Sequence, residues 1–270
     1  MPKIHPMAIV DPSAQLGEDV EVGAGCLIES DVKIGPGCVL RPYSIIRRFT
    51  TMGSNNYVDS FTVIGGLPQD FKFDPASVTY VTIGNDNVFR EGVTISRATG
   101  EGNATVVGNH TYWMTAAHAG HNAQVADDVI LANGATLGGW ACAGRKANLS
   151  ANVLIHQFCW VGDMAIIQGN GGASTHIPPY TMNANINHLI GLNKVGLHRA
   201  PWISDLDRDQ IKEAFRITYH PGVGPASALE QMDQHPEWGA AAGVFREFVR
   251  KVVHAQPPYK RPLCRIHTRG

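Results

Sequence analysis

Residues 10–46 divide into hexads that each begin with an aliphatic residue: VDPSAQ, LGEDVE, VGAGCL, IESDVK, IGPGCV and LRPYSI, followed by Ile46. A period of six fits neither an α-helix, with about 3.6 residues per turn, nor the two-residue alternation of a strand. It is typical of short strands joined by sharp turns, of which three close a triangular coil of roughly 18 residues. The sequence therefore predicts a hexapeptide parallel β-helix, in which each coil buries its aliphatic positions on the next.

The same phase continues to residue 173 with two interruptions. The later positions are Met52, Val58, Ile64, Ile83, Phe89, Ile95, Val107, Trp113, Ala119, Val125, Leu131, Leu137, Ala143, Leu149, Ile155, Val161, Ile167 and Ala173. We expect these side chains to form the core, together with the small or β-branched residues two positions earlier, such as Val20 and Cys26. Glycine often follows the aliphatic position, as at Gly17 and Gly23, where we expect a turn to need its backbone freedom.

Composition limits the function classes. The chain has 270 residues, of which 44% are hydrophobic, and a formal net charge of -1. This charge indicates no nucleic-acid partner, and no segment reaches the roughly 20 apolar residues of a membrane span, so we expect no stable membrane insertion. The five cysteines include Cys26 and Cys38 at core positions and predict reduced, buried thiols. Residues 1–6 lack the apolar segment of a secretion signal, so we expect a cytoplasmic protein.

The hexad phase lapses at residues 66–82 and 97–105, and long excursions from a solenoid are often functional. Beyond about residue 190 the pattern becomes helical. The helices are predicted to begin near Ser204, which is an N-cap candidate, near Ala226, and at Pro236. We therefore predict two domains, a β-helix over 1–188 and a helical domain over 189–270.

The histidines are the most informative polar residues. His118 and His121 lie on one predicted side of a coil. Adding 18 residues to 121 gives Gly139, and 18 more gives Gln157, next to His156. These residues should lie close together on successive coils, which predicts a functional site on this face.

Two chemistries suit such a site. A zinc site needs three or four ligands, and the hexapeptide enzymes that resemble carbonic anhydrases carry a His-x4-His pair, whereas His118 and His121 are separated by two residues. General-base catalysis needs only one neutral imidazole within reach of a substrate hydroxyl. The spacing favours a general base and predicts no bound metal. We expect no other cofactor.

Several motifs give a specific resemblance. In order along the chain, they resemble motifs of the bacterial UDP-N-acetylglucosamine 3-O-acyltransferases, the left-handed β-helix enzymes that begin lipid A synthesis. The matching segments are residues 69–72 (QDFK), 118–121 (HAGH), 130–139 (ILANGATLGG), 156–159 (HQFC), 177–180 (IPPY) and 191–199 (GLNKVGLHR).

The resemblance implies a mechanism. His121 removes the proton from the sugar hydroxyl, which attacks a (3-hydroxy)acyl thioester on acyl carrier protein, and the Gly139 N–H stabilises the oxyanion. It also implies a homotrimer with active sites in the clefts between adjacent solenoids. The implied substrate-binding residues are Asp70, Lys72, His118, Asn122 and His156 near the sugar and nucleotide, Gln157 on the nucleotide side, and Asn193 and Arg199 near the diphosphate.

Some positions depart from the family pattern. Asn122 replaces the usual acidic residue after the base and can orient the ring without adding charge. Trp140 replaces a histidine, Ser96 replaces another, Ala200 replaces a second basic residue, and residues 145–152 replace a Gly-rich coil. These changes concern the substrate walls, while the expected base is retained.

The sequence therefore predicts a cytoplasmic, homotrimeric acyltransferase acting on a UDP-linked glucosamine with acyl carrier protein as donor. One alternative is a paralogue that acylates a different nucleotide sugar or amino sugar. Another is a binding or scaffold protein with weak catalysis, and a third is a zinc-dependent carbonic anhydrase.

Overall fold

Parallel β-sheets form the walls of a long solenoid, and helices follow it. The structure is a computed structural model that describes residues 1–235 and 237–266. Within these residues there are 28 strands, most of them two residues long, because the other residues of each hexad form the turn and its flanks.

In chain order, the strands are β1 Lys3–Ile4, β2 Ile9–Val10, β3 Gln15–Leu16, β4 Glu21–Val22, β5 Leu27–Ile28, β6 Lys33–Ile34, β7 Val39–Leu40, β8 Ile45–Ile46, β9 Thr50–Met52, β10 Tyr57–Val58, β11 Val63–Gly66, β12 Tyr80–Ile83, β13 Val88–Phe89, β14 Thr94–Ser96, β15 Ala104–Val107, β16 Tyr112–Trp113, β17 His118–Ala119, β18 Gln124–Val125, β19 Ile130–Leu131, β20 Thr136–Leu137, β21 Cys142–Ala143, β22 Asn148–Leu149, β23 Leu154–Ile155, β24 Trp160–Val161, β25 Ile166–Ile167, β26 Gly172–Ala173, β27 Thr181–Ala184 and β28 His188–Leu192.

Through most of the solenoid each strand pairs in parallel with the strand three later in the chain. One sheet therefore runs β1-β4-β7 onward to β27 and β28, the second runs β2-β5-β8 onward to β26, and the third runs β3-β6-β9 onward to β24. The register is 18 residues in regular coils, as in Thr136 opposite Leu154. The predicted three-sided parallel β-helix is confirmed, and an antiparallel β27–β28 pair closes the first sheet.

The predicted core is also confirmed. Every hexad position from Val22 to Ala173 is at most 3% exposed. The positions two residues earlier, such as Val20 and Cys26, are buried as well. One hydrophobic core therefore runs along the axis of the solenoid.

The expectation that glycines after the aliphatic positions supply backbone freedom holds at Gly65, whose φ is +84°, but is wrong at Gly17 and Gly23. The backbone of Gly17 lies outside the left-handed region, but a Cβ there would lie 2.6 Å from Pro36 N on the next coil. These glycines allow neighbouring coils to approach closely. The left-handed conformation occurs two residues later in the turn, as at Asp19. The equivalent position in later coils is also left-handed and is often not glycine, as at Asn122 and Trp140.

In the described part of the chain, four helices follow the last strands: α1 Lys194–Arg199, α2 Asp205–Thr218, α3 Pro225–Asp233 and α4 Ala240–Val253. Ser204 caps α2 as predicted, in a capping box with Asp207. The expected helix start at Pro236 lies outside the described residues. The helices pack on the end of the solenoid through a second cluster that includes Tyr180, Ile211 and Phe245.

Residues after α4 return to the solenoid. His176 and Leu263 form a parallel bridge, as do Leu189 and Ile266. The division into domains over 1–188 and 189–270 stays a prediction. Within residues 1–235 and 237–266, no helix combines the length and apolar character needed to span a bilayer.

Candidate active site

Three turns stack at one corner of the solenoid and carry the predicted catalytic column. The Trp140 N–H donates to His121 O at 2.9 Å, and the Phe158 N–H donates to Gly139 O at 3.0 Å. A Cβ on Gly138 would lie 2.7 Å from Gln157 N. The 18-residue spacing therefore brings His121, Gly139 and Gln157 onto successive coils, as predicted.

The His121 ring is oriented by the buried Asn122. Asn122 Oδ1 accepts from the Thr99 N–H at 2.8 Å and from the Thr99 hydroxyl at 3.0 Å, and Asn122 Nδ2 donates to Thr99 O at 3.0 Å. These bonds identify Oδ1 as the acceptor. His121 Nδ1, 2.9 Å from Oδ1, must then carry the proton and donate it.

In the neutral ring, this tautomer leaves the lone pair of His121 Nε2 available to act as a base. A Cβ on Gly139 would lie 2.6 Å from that Nε2, so the imidazole occupies the space that a side chain would take. The Gly139 N–H donates to no acceptor within the described part of the chain. The imidazole thus lies against a residue whose backbone donor is free, an arrangement that suits acyl transfer through an oxyanion.

His118 lies on β17, three residues before His121. Its Nδ1 is 2.7 Å from the hydroxyl of Thr94 on the neighbouring strand β14. Burial lowers the pKa of His118, although a hydrogen bond with the Thr94 backbone opposes this effect. The ring is therefore neutral near pH 7 and keeps Nε2 available for a ligand.

The other predicted contacts of this column are exposed. His156 and Gln157 occupy the turn after β23, and both are exposed. His156 Nδ1 is 3.1 Å from Gln157 O. These side chains are placed to meet a ligand from outside the solenoid.

Asp70 and Lys72 lie in the long loop between β11 and β12. Asp70 Oδ1 accepts from the Lys72 N–H at 3.0 Å, and Asp70 O accepts from the Phe73 N–H. Their hydrogen bonds stay within the loop, and the structure records no contact between them and His121.

Asn193 and Arg199 lie at opposite ends of α1. Asn193 is 3% exposed. Its Oδ1 accepts from the Gly196 N–H at 2.9 Å, and its Nδ2 donates to Met164 O at 3.0 Å. Arg199 is exposed at the last residue of the helix. Asn193 therefore fixes α1 on the solenoid, and Arg199 presents its charge to solvent.

Trp140 belongs to an aromatic cluster beside the turn that carries Gly139. Its ring centroid lies 6.5 Å from that of Phe158 and 6.5 Å from that of Tyr259, which comes from the C-terminal tail. Tyr259 also packs on Trp160 at 5.5 Å. Trp140, which stands where the family pattern has a histidine, therefore packs against the C-terminal tail.

Thr99 and Thr105, which hold Asn122 in place, are not among the residues predicted from the sequence. The Thr105 hydroxyl accepts from the Asn122 N–H at 2.8 Å. Both residues lie in the second lapse of the hexad phase, and that lapse was the available signal. Within residues 1–235 and 237–266, no three His, Cys, Asp or Glu side chains group as metal ligands; the lack of zinc stays a prediction.

Known proteins resemble this chain over most of its length. Residues 177–256 match the family model described as UDP-N-acetylglucosamine O-acyltransferase, domain 2. An acyl-[acyl-carrier-protein]–UDP-N-acetylglucosamine O-acyltransferase of Syntrophobacter fumaroxidans is 40% identical over 250 residues, covering 92% of this chain and 96% of the relative. One from Stenotrophomonas maltophilia is 35% identical over 264 residues, covering 96% and 98%.

A solved structure is similar to this chain over nearly its whole length. The UDP-N-acetylglucosamine acyltransferase of Bacteroides fragilis superposes with a TM-score of 0.88 at 32% identity, covering 97% of this chain and 100% of the other. The fold is the left-handed parallel β-helix that the sequence predicted. Together with the relatives' near-complete coverage, this places the chain in the acyl-[acyl-carrier-protein]–UDP-N-acetylglucosamine O-acyltransferase family.

Proposed function

We propose that this protein transfers a (3-hydroxy)acyl group from acyl carrier protein to the 3-hydroxyl of UDP-N-acetylglucosamine, the first step of lipid A biosynthesis. Relatives that carry this name match at 40% and 35% identity. The observation that carries the proposal is the orientation of His121, whose Nδ1 is bonded to Asn122 at 2.9 Å and whose Nε2 adjoins Gly139.

The reaction follows from this geometry. His121 Nε2 takes the proton of the sugar 3-hydroxyl as that oxygen attacks the thioester carbonyl. The resulting oxyanion accepts a hydrogen bond from the Gly139 N–H. When the tetrahedral intermediate collapses, the C–S bond breaks, and the leaving thiolate receives the proton from the His121 imidazolium. Asn122 orients the ring through Nδ1 but adds no charge to stabilise the imidazolium.

The substrate contacts are assigned by the same proposal. His118 and His156 flank the base and bind the sugar, and Gln157 contacts the nucleotide. Asp70 and Lys72 reach the sugar from their exposed loop.

At the diphosphate, Arg199 and Asn193 have different roles. Arg199 supplies the positive charge. Asn193, whose amide atoms both have partners in the chain, fixes the helix that carries Arg199.

We propose that the active unit is a homotrimer. His121, His156 and Gln157 stand on outer turns of a straight-sided solenoid, so one chain leaves a bound sugar nucleotide open to solvent. A neighbouring solenoid would supply the opposite wall, and its α1 would bring Arg199 to the diphosphate.

We also propose a cytoplasmic location. The described cysteines, which include Cys26, Cys142 and Cys264, are all free thiols, as is usual in a reducing compartment.

An acyl-transfer assay tests the function. Purified protein is incubated with UDP-N-acetylglucosamine and a panel of 3-hydroxyacyl carrier protein thioesters, and products are identified by mass spectrometry. We expect a 3-O-acyl product from the wild type. We expect a rate about 10²–10⁴-fold lower for His121→Ala with nucleotide binding retained. Equal rates would exclude His121 as the base.

The same assay addresses the alternative acceptor. Asn122 in place of an acidic residue favours a paralogue that acylates an amino sugar, since an amine is a better nucleophile than a hydroxyl. The panel therefore includes the 3-amino analogue of the UDP-sugar. Product from that analogue alone would replace the proposed acceptor, and the absence of product from any acceptor would favour a scaffold protein.

A further inference from the structure

The two loops that interrupt the solenoid, residues 67–79 and 97–103, lie against each other. The Gly102 N–H donates to Val78 O at 2.9 Å. The Val78 N–H donates to Glu101 Oε2 at 2.9 Å. The C-terminal end of the first loop is therefore fixed to the second loop by main-chain groups.

The central part of the first loop, residues 70–77, is attached differently. Its main-chain bonds are local and close turns at Asp70 and Asp74. Among the described residues, one hydrogen bond joins this part to the rest of the protein: Arg97 Nη2 donates to Pro75 O at 3.3 Å. The Arg97 guanidinium also lies 5.3 Å from the centroid of the Phe73 ring.

Arg97 connects this loop to the candidate base. The Arg97 backbone N–H donates to Gly66 O at 2.8 Å, at the point where the first loop leaves β11. Thr99 lies two residues further on, and its backbone N–H donates to Asn122 Oδ1. The Thr99 hydroxyl oxygen is 3.4 Å from His121 Nδ1. The segment that contains Arg97 thus contacts both the loop that carries Asp70 and Lys72 and the side chain that orients His121.

Stability alone does not explain a guanidinium at this position. Arg97 is 2% exposed, and its Nε and Nη1 have no acceptor within the described residues. Burial lowers the pKa of Arg97, and nearby Arg48 lowers it further, while Glu29 raises it. A buried cation with incomplete hydrogen bonding costs free energy, and an apolar side chain of similar length fills the same space without that cost.

We propose that Arg97 is a positioning residue for acyl transfer, which holds the centre of the 67–79 loop against the segment that orients His121. This inference rests on the proposed function. Arg97 keeps Asp70 and Lys72 at a fixed position relative to His121, and Arg97 itself touches no substrate.

Arg97→Met separates positioning from folding. We expect a melting temperature equal to or above that of the wild type, because a costly buried charge is removed. We expect kcat/KM for UDP-N-acetylglucosamine to fall about 10–100-fold, with a raised KM because the loop carries the sugar contacts. Arg97→Lys, which keeps a donor for Pro75 O, should recover part of that loss.

Limited proteolysis reports on the loop without substrate. Trypsin cleaves after lysine, and Lys72 is exposed within the loop. We expect cleavage after Lys72 to be at least severalfold faster in Arg97→Met than in the wild type. Arg48→Met is the matched control: Arg48 lies 4.2 Å over the Phe49 ring, which Arg97 also faces, but pairs with Asp31. It should leave kinetics and cleavage unchanged.

Two results would overturn the proposal. One is unchanged cleavage at Lys72 together with unchanged kinetics in Arg97→Met. The other is a fall in melting temperature in both Arg97 variants that matches their loss of activity, which would assign Arg97 to folding. A wild type that transfers no acyl group, yet protects Lys72 through Arg97, would instead refute the proposed function.

Discussion

The missing side chain at Gly139 determines where the His121 ring can lie. A Cβ at this position would come within 2.6 Å of Nε2 and 2.7 Å of Cε1. The backbone of Gly139 lies outside the left-handed region, so alanine fits its conformation. The ring must therefore move when a methyl group is added, while the turn itself can keep its shape.

Gly139→Ala is expected to lower kcat by about 100-fold, because a displaced imidazole no longer reaches the sugar hydroxyl. The melting temperature should change by only a few degrees, since the side chain that yields is at the surface of the turn. Steady-state kinetics and thermal unfolding measure the two effects. A variant with the kcat of the wild type would contradict the assigned position of the base.

Asn122→Asp tests the role of the amide beside the base. A carboxylate next to Nδ1 favours the imidazolium, which cannot accept a proton, so the acid limb of the kcat/KM profile should move to higher pH. The variant also loses the Nδ2 bond to Thr99 O of 3.0 Å, which should lower the plateau rate. An acid limb that stayed in place or moved to lower pH would exclude direct coupling between the two side chains.

At the scale of single elements, the hexad period predicted the coils because burial repeats with the same period. Val22, Leu131 and Ile167 all point to the axis, and each is at most 3% exposed. The period also placed His121 over Gly139 and Gln157. It could not predict Thr99 or Arg97, because both lie in a lapse where loop packing, rather than repetition, sets the contacts.

The helices offer an independent test at this scale. Gly243 lies inside α4, and a Cβ there would meet no atom within 4 Å. Alanine is about 1 kcal/mol more favourable than glycine in a helix. Gly243→Ala should therefore raise the free energy of unfolding by about 0.5–1 kcal/mol.

Denaturant titration measures the change, and Gly222→Ala is its control. Gly222 adopts a φ of +82°, where an L-residue is strained, so that substitution should lower stability. A destabilised Gly243→Ala variant would show that this face of α4 is occupied, for example by a neighbouring chain.

For the whole molecule, the C-terminal tail links the helices to the coil beside the candidate active site. The His176 N–H donates to Pro262 O at 2.9 Å, and the Cys264 N–H donates to His176 O at 2.8 Å. Tyr259 packs against Trp140 and Phe158. The hexad period carries no information about contacts between residues more than 80 positions apart, so the sequence predicted the tail only as irregular.

His176 makes this link sensitive to pH. Its Nδ1 accepts from the Trp160 N–H at 3.0 Å, so Nε2 carries the proton and donates it to Tyr259 O at 3.0 Å. Burial lowers the pKa of His176 to about 4. Protonation of Nδ1 would remove the bond from Trp160 and place a charge in a buried site.

We therefore expect the free energy of unfolding to fall as the pH falls from about 6.5 towards 4. In that range the unfolded chain, with an ordinary histidine pKa of about 6.5, binds a proton that folded His176 does not. Above about pH 6.5 both states are neutral at this ring, and its contribution is constant. The change is at most about 3 kcal/mol for a shift of this size.

Denaturant unfolding from pH 4 to 8 should show the decline in the wild type and a smaller one in His176→Phe, while exposed His254→Gln should match the wild type. Parallel pH profiles for the wild type and His176→Phe would show that the tail is held by other contacts.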